Sequence, residues 1–245
     1  MTAAAQAGGT VRPARARRHD AGTIRLSQRD IDGLLLCGEH YGAPLDLLAE
    51  ALGVNQLRMN AIAARWRRGG YVEVAPLGSG PPWTWLTRDG MKATGLGFPP
   101  TPPTLGRLAH NRAILAARLW LTAGPAWADG QAWWHSERRV LAEQPKRRGG
   151  HQPDAEIHWP SIDGSPYADQ IWAIEVELSA KQIERTTRII TGMISSMKYA
   201  TVVYLTAPAA RSAVRHAVAL LPAEDQAMVA VRDLPANAFH PRGRR

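Results

Sequence analysis

Residues 97–104 read GFPPTPPT, with four prolines in eight positions. Each proline fixes φ and removes a backbone donor, so neither a helix interior nor a central strand can run through the stretch. It predicts a stiff extended segment that divides the 245 residues into two parts. The expected boundaries are a basic arm over 1–22, a first domain over 23–97, a linker over 98–104, a second domain over 105–238 and a basic tail over 239–245.

Upstream of the prolines the pattern predicts three helices and a hairpin. Ser27 is placed to cap a helix with Ile31, Leu34 and Leu35 on one face. APLDLLAEALG makes a short second helix closed by Gly53, and Asn55 caps a third, QLRMNAIAARWRRGG, which Gly69 and Gly70 end. YVEVAPLGSGPPWTWLTRDG then reads as two strands around a Gly/Pro turn. Downstream, TLGRLAHNRAILAARLWLTAG predicts an amphipathic helix, and HSERRVLAEQ a second one. Two strands follow, then a helix over about 180–196, a strand, a helix and a last strand. Strands alternating with helices predict an α/β layered fold.

The net charge is +9, which favours a polyanionic partner, with nucleic acid the usual one. The single cysteine, Cys37, excludes an internal disulfide framework and fits a reducing cytoplasm. No apolar run reaches the roughly 18 residues that suggest a membrane span.

Helix, short helix, helix, hairpin is the order of a winged helix-turn-helix, in which the third helix enters the major groove and the hairpin touches the backbone. Ile62 and Trp66 are spaced to anchor its inner face. Asn55, Gln56, Arg58, Asn60 and Arg65 are candidates for bases and phosphates, and Arg67 and Arg68 cluster where helix meets wing. The stretch RWRRGGYVEV…WTWLTRDGMKATG resembles the recognition-helix exit and wing of winged-helix DNA-binding proteins, with Trp66 at their leucine position.

Two stretches, HQPDAEIHWP and IWAIEVELSAKQ, put carboxylates on adjacent strands. Residues two apart on a strand face the same way, so Glu175 and Glu177 share a face opposite Ile174, Val176 and Leu178. Asp154 beside Glu175 would offer two carboxylates to magnesium, which takes one or two such ligands plus water and phosphate. Alternatively, the acids are the solvated face of a sheet. His135, His151 and His158 lack zinc spacing and read as surface or supporting groups.

QPDAEIHW…WAIEVELSAKQ resembles the PD-(D/E)XK nuclease superfamily. The resemblance implies that Asp154 and Glu175 are metal ligands and that Glu137 is the upstream helical acid. The superfamily's lysine position is occupied by Glu177, and Lys181, expected at the start of the next helix, stands in as the displaced basic group. Gln182, Arg185 and Arg188 would then face phosphate. SERRVLAE, QPDAEIHWP and WAIEVELSAKQIERTTRIITGM together resemble the replication-relaxation family of plasmids and other mobile elements. That implies a cytoplasmic duplex-DNA-binding protein acting in plasmid replication, relaxation or its regulation, with a nuclease-like second domain that has kept or lost catalysis. Two other functions stay open: an active magnesium-dependent endonuclease or nickase, and a dimeric winged-helix repressor. The helix over 104–122 is expected to pack on its own domain or on a second copy, giving a homodimer.

Overall fold

The computed structural model describes residues 24–124, 132–143 and 151–239. The arm over 1–22 and the tail beyond residue 239 lie outside them. The elements form a mixed α/β structure with two sheets. Among the described residues, no helix is long and apolar enough to cross a membrane.

The first part holds α1 (Gln28–Glu39), β1 (Ala43–Pro44), α2 (Leu45–Ala51), α3 (Gln56–Arg68), β2 (Val72–Ala75), β3 (Trp83–Leu86) and α4 (Arg88–Thr94). Ser27 caps α1 in a capping box: its hydroxyl accepts from Asp30 N, and Asp30 accepts from Ser27 N. Asn55 caps α3 through Arg58 N at 2.8 Å. On α3, Met59, Ile62, Ala63 and Trp66 are buried, one face of a 3.6-residue period. Gly70, at φ +76°, turns the chain from α3 into the hairpin. The three-stranded antiparallel sheet runs β1-β3-β2, so a two-residue strand that the pattern did not reveal closes one edge. Helix α4, also unforeseen, starts at an N-cap, Thr87, and approaches so closely that a Cβ on Gly90 would stand 2.0 Å from the Tyr71 carbonyl oxygen.

The second part holds α5 (Leu108–Leu121), β4 (Trp133–Ser136), α6 (Glu137–Glu143), β5 (Ala155–His158), β6 (Ile171–Glu177), α7 (Ile183–Ser195), β7 (Thr201–Thr206), α8 (Pro208–Ala219), α9 (Ala223–Ala227) and β8 (Val229–Asp233). Its sheet runs β4-β5-β6-β7-β8, antiparallel through β6 and parallel beyond. Helices α7 and α8 make the parallel crossovers and cover one face around Ala173, Val202 and Tyr204. The other face, with Ile157, Ile174, Val176 and Leu205, packs towards α5. Two sequence expectations need correction. His135 and Ser136 do not begin a helix; they end β4, whose backbone bonds are supplied by β5. Helix α7 starts at Ile183, so Lys181 lies in the connection before it.

The proline-rich segment joins two parts that share a core. One cluster of buried apolar side chains runs from Leu34 and Trp66 through Leu115 to Ile174 and Ala238. Every residue from Asn111 to Ala117 of α5 is buried, so the predicted one-sided helix is enclosed on all sides along its middle. Its middle is used within the chain, as one of the two expected packings has it, while Trp120 near its end is 48% exposed. Charged side chains complete the joint. Arg112 forks onto Asp46 at 2.9 and 2.6 Å, Arg118 reaches Glu39, and Arg138 donates to the carbonyls of Gly38 and Pro99.

Candidate functional site

Asp154 stands just before β5, and its geometry ties three segments together. Its Oδ2 accepts from Val176 N of β6 at 2.8 Å, and its Oδ1 lies 2.8 Å from His110 Nε2 of α5. Its carbonyl accepts from Glu137 N, where β4 passes into α6. On β6, Glu175 lies 2.8 Å from His151 Nε2, and Glu177 meets Lys181 Nζ at 2.5 Å. Glu137 accepts from Arg107 at 3.1 Å. Each of the four sequence-predicted acids therefore has a basic partner. Sequence reasoning missed Arg107 and His110 altogether and took His151 for a surface or supporting group. Lys181, although outside the helix, does reach the position-177 carboxylate.

The acids are not a solvated face. Glu175 and Glu177 are only 5% and 6% exposed, on the face they share with Ala173, Tyr204 and Thr206, the last two their partners on β7. Burial pushes the Glu175 carboxyl up to about 7, and the charge of Asp154 adds to the rise while His151 opposes it. His151 is raised chiefly by its hydrogen bond to Glu175. Burial alone would lower His110, but the hydrogen bond and charge of Asp154 prevail and raise it. The Tyr204 hydroxyl, opposite Glu175 on β7, is driven upward by burial and by Glu175, Glu177 and Asp154 together. Several carboxylates thus act on one small volume.

Among the described residues, no group of three or more His, Cys, Asp or Glu side chains is disposed to hold a metal ion. The donor set fits a less demanding mode, in which one or two carboxylates hold magnesium and water or phosphate completes the octahedron. Asp154 and Glu175 are the two carboxylates that could take part in such a site, and burial together with the charge of Asp154 opposes ionisation of Glu175.

A second polar group lies further along β5. Glu156, 1% exposed, is held by Lys198 at 2.5 Å and by His158 and Tyr199 at 2.8 Å each. His158 stacks on His135 with ring centroids 3.8 Å apart. These histidines serve the Glu156 network, and no reading of the sequence singled out Glu156, Lys198 or Tyr199.

The residues proposed for nucleic acid divide into two sets. Asn55 spends its side-chain oxygen on the α3 cap, and Arg65 pairs with the buried Asp30, which also accepts from Trp66 Nε1 at 2.8 Å. Gln56, Arg58, Asn60, Arg67 and Arg68 are exposed. Gln182, Arg185 and Arg188, expected to face phosphate, are all exposed, Gln182 at the N-cap of α7 and the two arginines on its first two turns. A groove of about 1430 Å³ lies between α2 and α3, with Asp46 and Glu50 on the α2 side, Gln56, Leu57, Asn60 and Arg67 on the α3 side, and Pro81 and Pro82 of the hairpin connection bounding it.

No family model matches the chain, and no curated protein matches it. Among solved structures it is similar to one described as PigF with SAH, at 12% identity and a TM-score of 0.20. The alignment covers 84% of this chain and 62% of that one, so the chain spans under two thirds of that structure's length. Likeness at this level transfers neither fold nor function.

Proposed function

We propose that this chain binds duplex DNA through α3 and the β2–β3 hairpin, in the manner of a winged helix, and that its five-stranded half is a PD-(D/E)XK nuclease-like centre. A role in replication or relaxation of a mobile element follows from the same reading. The observation that carries it is the division of α3. Its inner face, centred on Trp66, is locked into the core, while Asn60, Arg67 and Arg68 stand outward along an open groove and Arg58 is exposed on the opposite flank of the helix. A net charge of +9 supplies the long-range attraction.

The test is fluorescence anisotropy of the chain with a labelled duplex across a range of salt. Affinity should fall steeply with salt as counterions are released from the phosphates. Arg67→Ala combined with Arg68→Ala should make the slope shallower by about one unit per lost phosphate contact. An unchanged slope would remove these arginines from the interface, and absence of binding at low salt would remove the reading.

One observation favours hydrolysis as a second reading. Lys181 reaches the carboxylate of Glu177, the position at which the resembled superfamily carries its lysine. The chemistry a magnesium ion supplies when held by Asp154 and Glu175 is neutralisation of phosphate charge and activation of water. The chain's own groups set up that place. Val176 N and His110 fix the Asp154 carboxylate, His151 fixes Glu175, and Lys181 brings a cation to the rim. Supercoiled plasmid should be nicked with magnesium or manganese and left intact with EDTA or in Asp154→Ala. Lys181→Ala should lower the rate by about a hundredfold if it assists proton transfer or positioning. Intact plasmid under every metal condition would leave a centre without catalysis.

A further inference from the structure

We infer that α3 selects A·T base pairs through Leu57 and the Gln56–Asn60 amide pair; the inference rests on the duplex-binding reading above. Leu57 lies in the first turn of α3, the part of a recognition helix that meets base edges. It is 80% exposed, so the chain's own core gains almost nothing from it. Ala61 and Ala64 are exposed as well and continue its stripe at spacings of four and three. These three positions form a low apolar stripe between exposed polar side chains, Arg58 on one side and Gln56 and Asn60 on the other, and the stripe lets the backbone come close to a partner. In the major groove, thymine alone among the four bases presents a methyl group, and apolar side chains are its match.

The amides make an independent argument. Gln56 Nε2 donates to Asn60 Oδ1 at 2.9 Å. That bond consumes one donor and one acceptor, and leaves Gln56 Oε1 as an acceptor beside the Asn60 amide N–H donors. Turning both amides round leaves the same complement. Adenine offers the counterpart in the major groove, an N6 donor beside an N7 acceptor. Guanine offers two acceptors there and would set its O6 against the glutamine oxygen. Methyl and adenine edge belong to the same base pair. Arg67 and Arg68, three turns further on, suit phosphates and would add affinity without choice.

Duplexes are selected from a randomised pool by the full chain. The selected duplex is then titrated with the parent, Leu57→Ala and Asn60→Ala chains in three forms: unmodified, with uracil for thymine, and with 7-deazaadenine for adenine. An A·T step should be enriched. Uracil should weaken the parent about fivefold or more and leave Leu57→Ala indifferent. Deazaadenine should weaken the parent and leave Asn60→Ala indifferent. A pool without A·T enrichment, or variants that discriminate as the parent does, would overturn the inference. Salt-dependent binding that ignores sequence would overturn it while leaving duplex binding standing. Absence of binding to any duplex at low salt would overturn both.

Discussion

Arg112→Met should destabilise the protein by about 3–5 kcal/mol, the scale for breaking a buried ion pair by removing one partner. Arg112 is 8% exposed and sits in the middle of α5, the helix enclosed by both halves. Its fork holds Asp46 of α2, and its Nε donates to the Asn237 carbonyl at 3.1 Å. Asn237 in turn donates to Glu50 of α2 at 2.9 and 3.1 Å. Methionine keeps the length of the stem but leaves the Asp46 carboxylate and the Asn237 carbonyl without the guanidinium. Because this joint lies in a shared core, the urea midpoint should fall while unfolding remains one transition. Asp46→Leu added to Arg112→Met should recover part of the loss, since it removes the stranded charge. A loss under about 1 kcal/mol, or two separate transitions in the parent, would contradict a shared core.

The second large effect is a dependence of stability on pH set by the carboxylate centre. Folding lifts Glu175 from an ordinary 4.5 to about 7. The folded form then holds a proton that the unfolded chain has released, so stability falls as pH rises between these values, by on the order of 3 kcal/mol. His151 is raised chiefly by its hydrogen bond to Glu175, so the two titrate as one pair and its shift is not a separate addition to that of Glu175. Glu156 and Asp30 have lowered values, and their contribution is lost only on acidification through the low carboxylate range. The Tm of metal-free protein should therefore fall from about pH 5 to about pH 8. Magnesium should raise it at the upper end by mass action, and Asp154→Ala should remove that rise. Glu175→Gln should flatten the profile. A Tm that stays level over this window, with no response to millimolar magnesium, would mean that no cation belongs there.

What could be read in advance was what neighbours in sequence decide. The caps at Ser27 and Asn55 need only the three residues that follow them, and the alternation of Glu175, Val176 and Glu177 needs only the strand period. The burial of those two glutamates was not readable, because their cross-strand neighbours Tyr204 and Thr206 come from a strand nearly thirty positions downstream. Strand β4 was hidden for a similar reason: Trp133 to Ser136 pair with β5, whose residues lie some twenty positions downstream. His110 looked like one polar residue on an amphipathic helix, and its partner Asp154 is 44 residues away. Arg65 was a fair candidate for DNA on helical spacing, until α1 brought Asp30 beneath it, 35 residues earlier.

The claim that α3 faces duplex DNA can be tested by photo-crosslinking. A benzophenone side chain replaces Leu57, 80% exposed on α3, and in a second chain Leu220, 59% exposed at the end of α8 on the far side of the five-stranded sheet. Both positions tolerate a bulky group because neither is packed. On irradiation with duplex at low salt, position 57 should crosslink to DNA and position 220 should not. Crosslinking from 220 as strong as from 57, or none from 57 while the chain still binds duplex, would contradict the account.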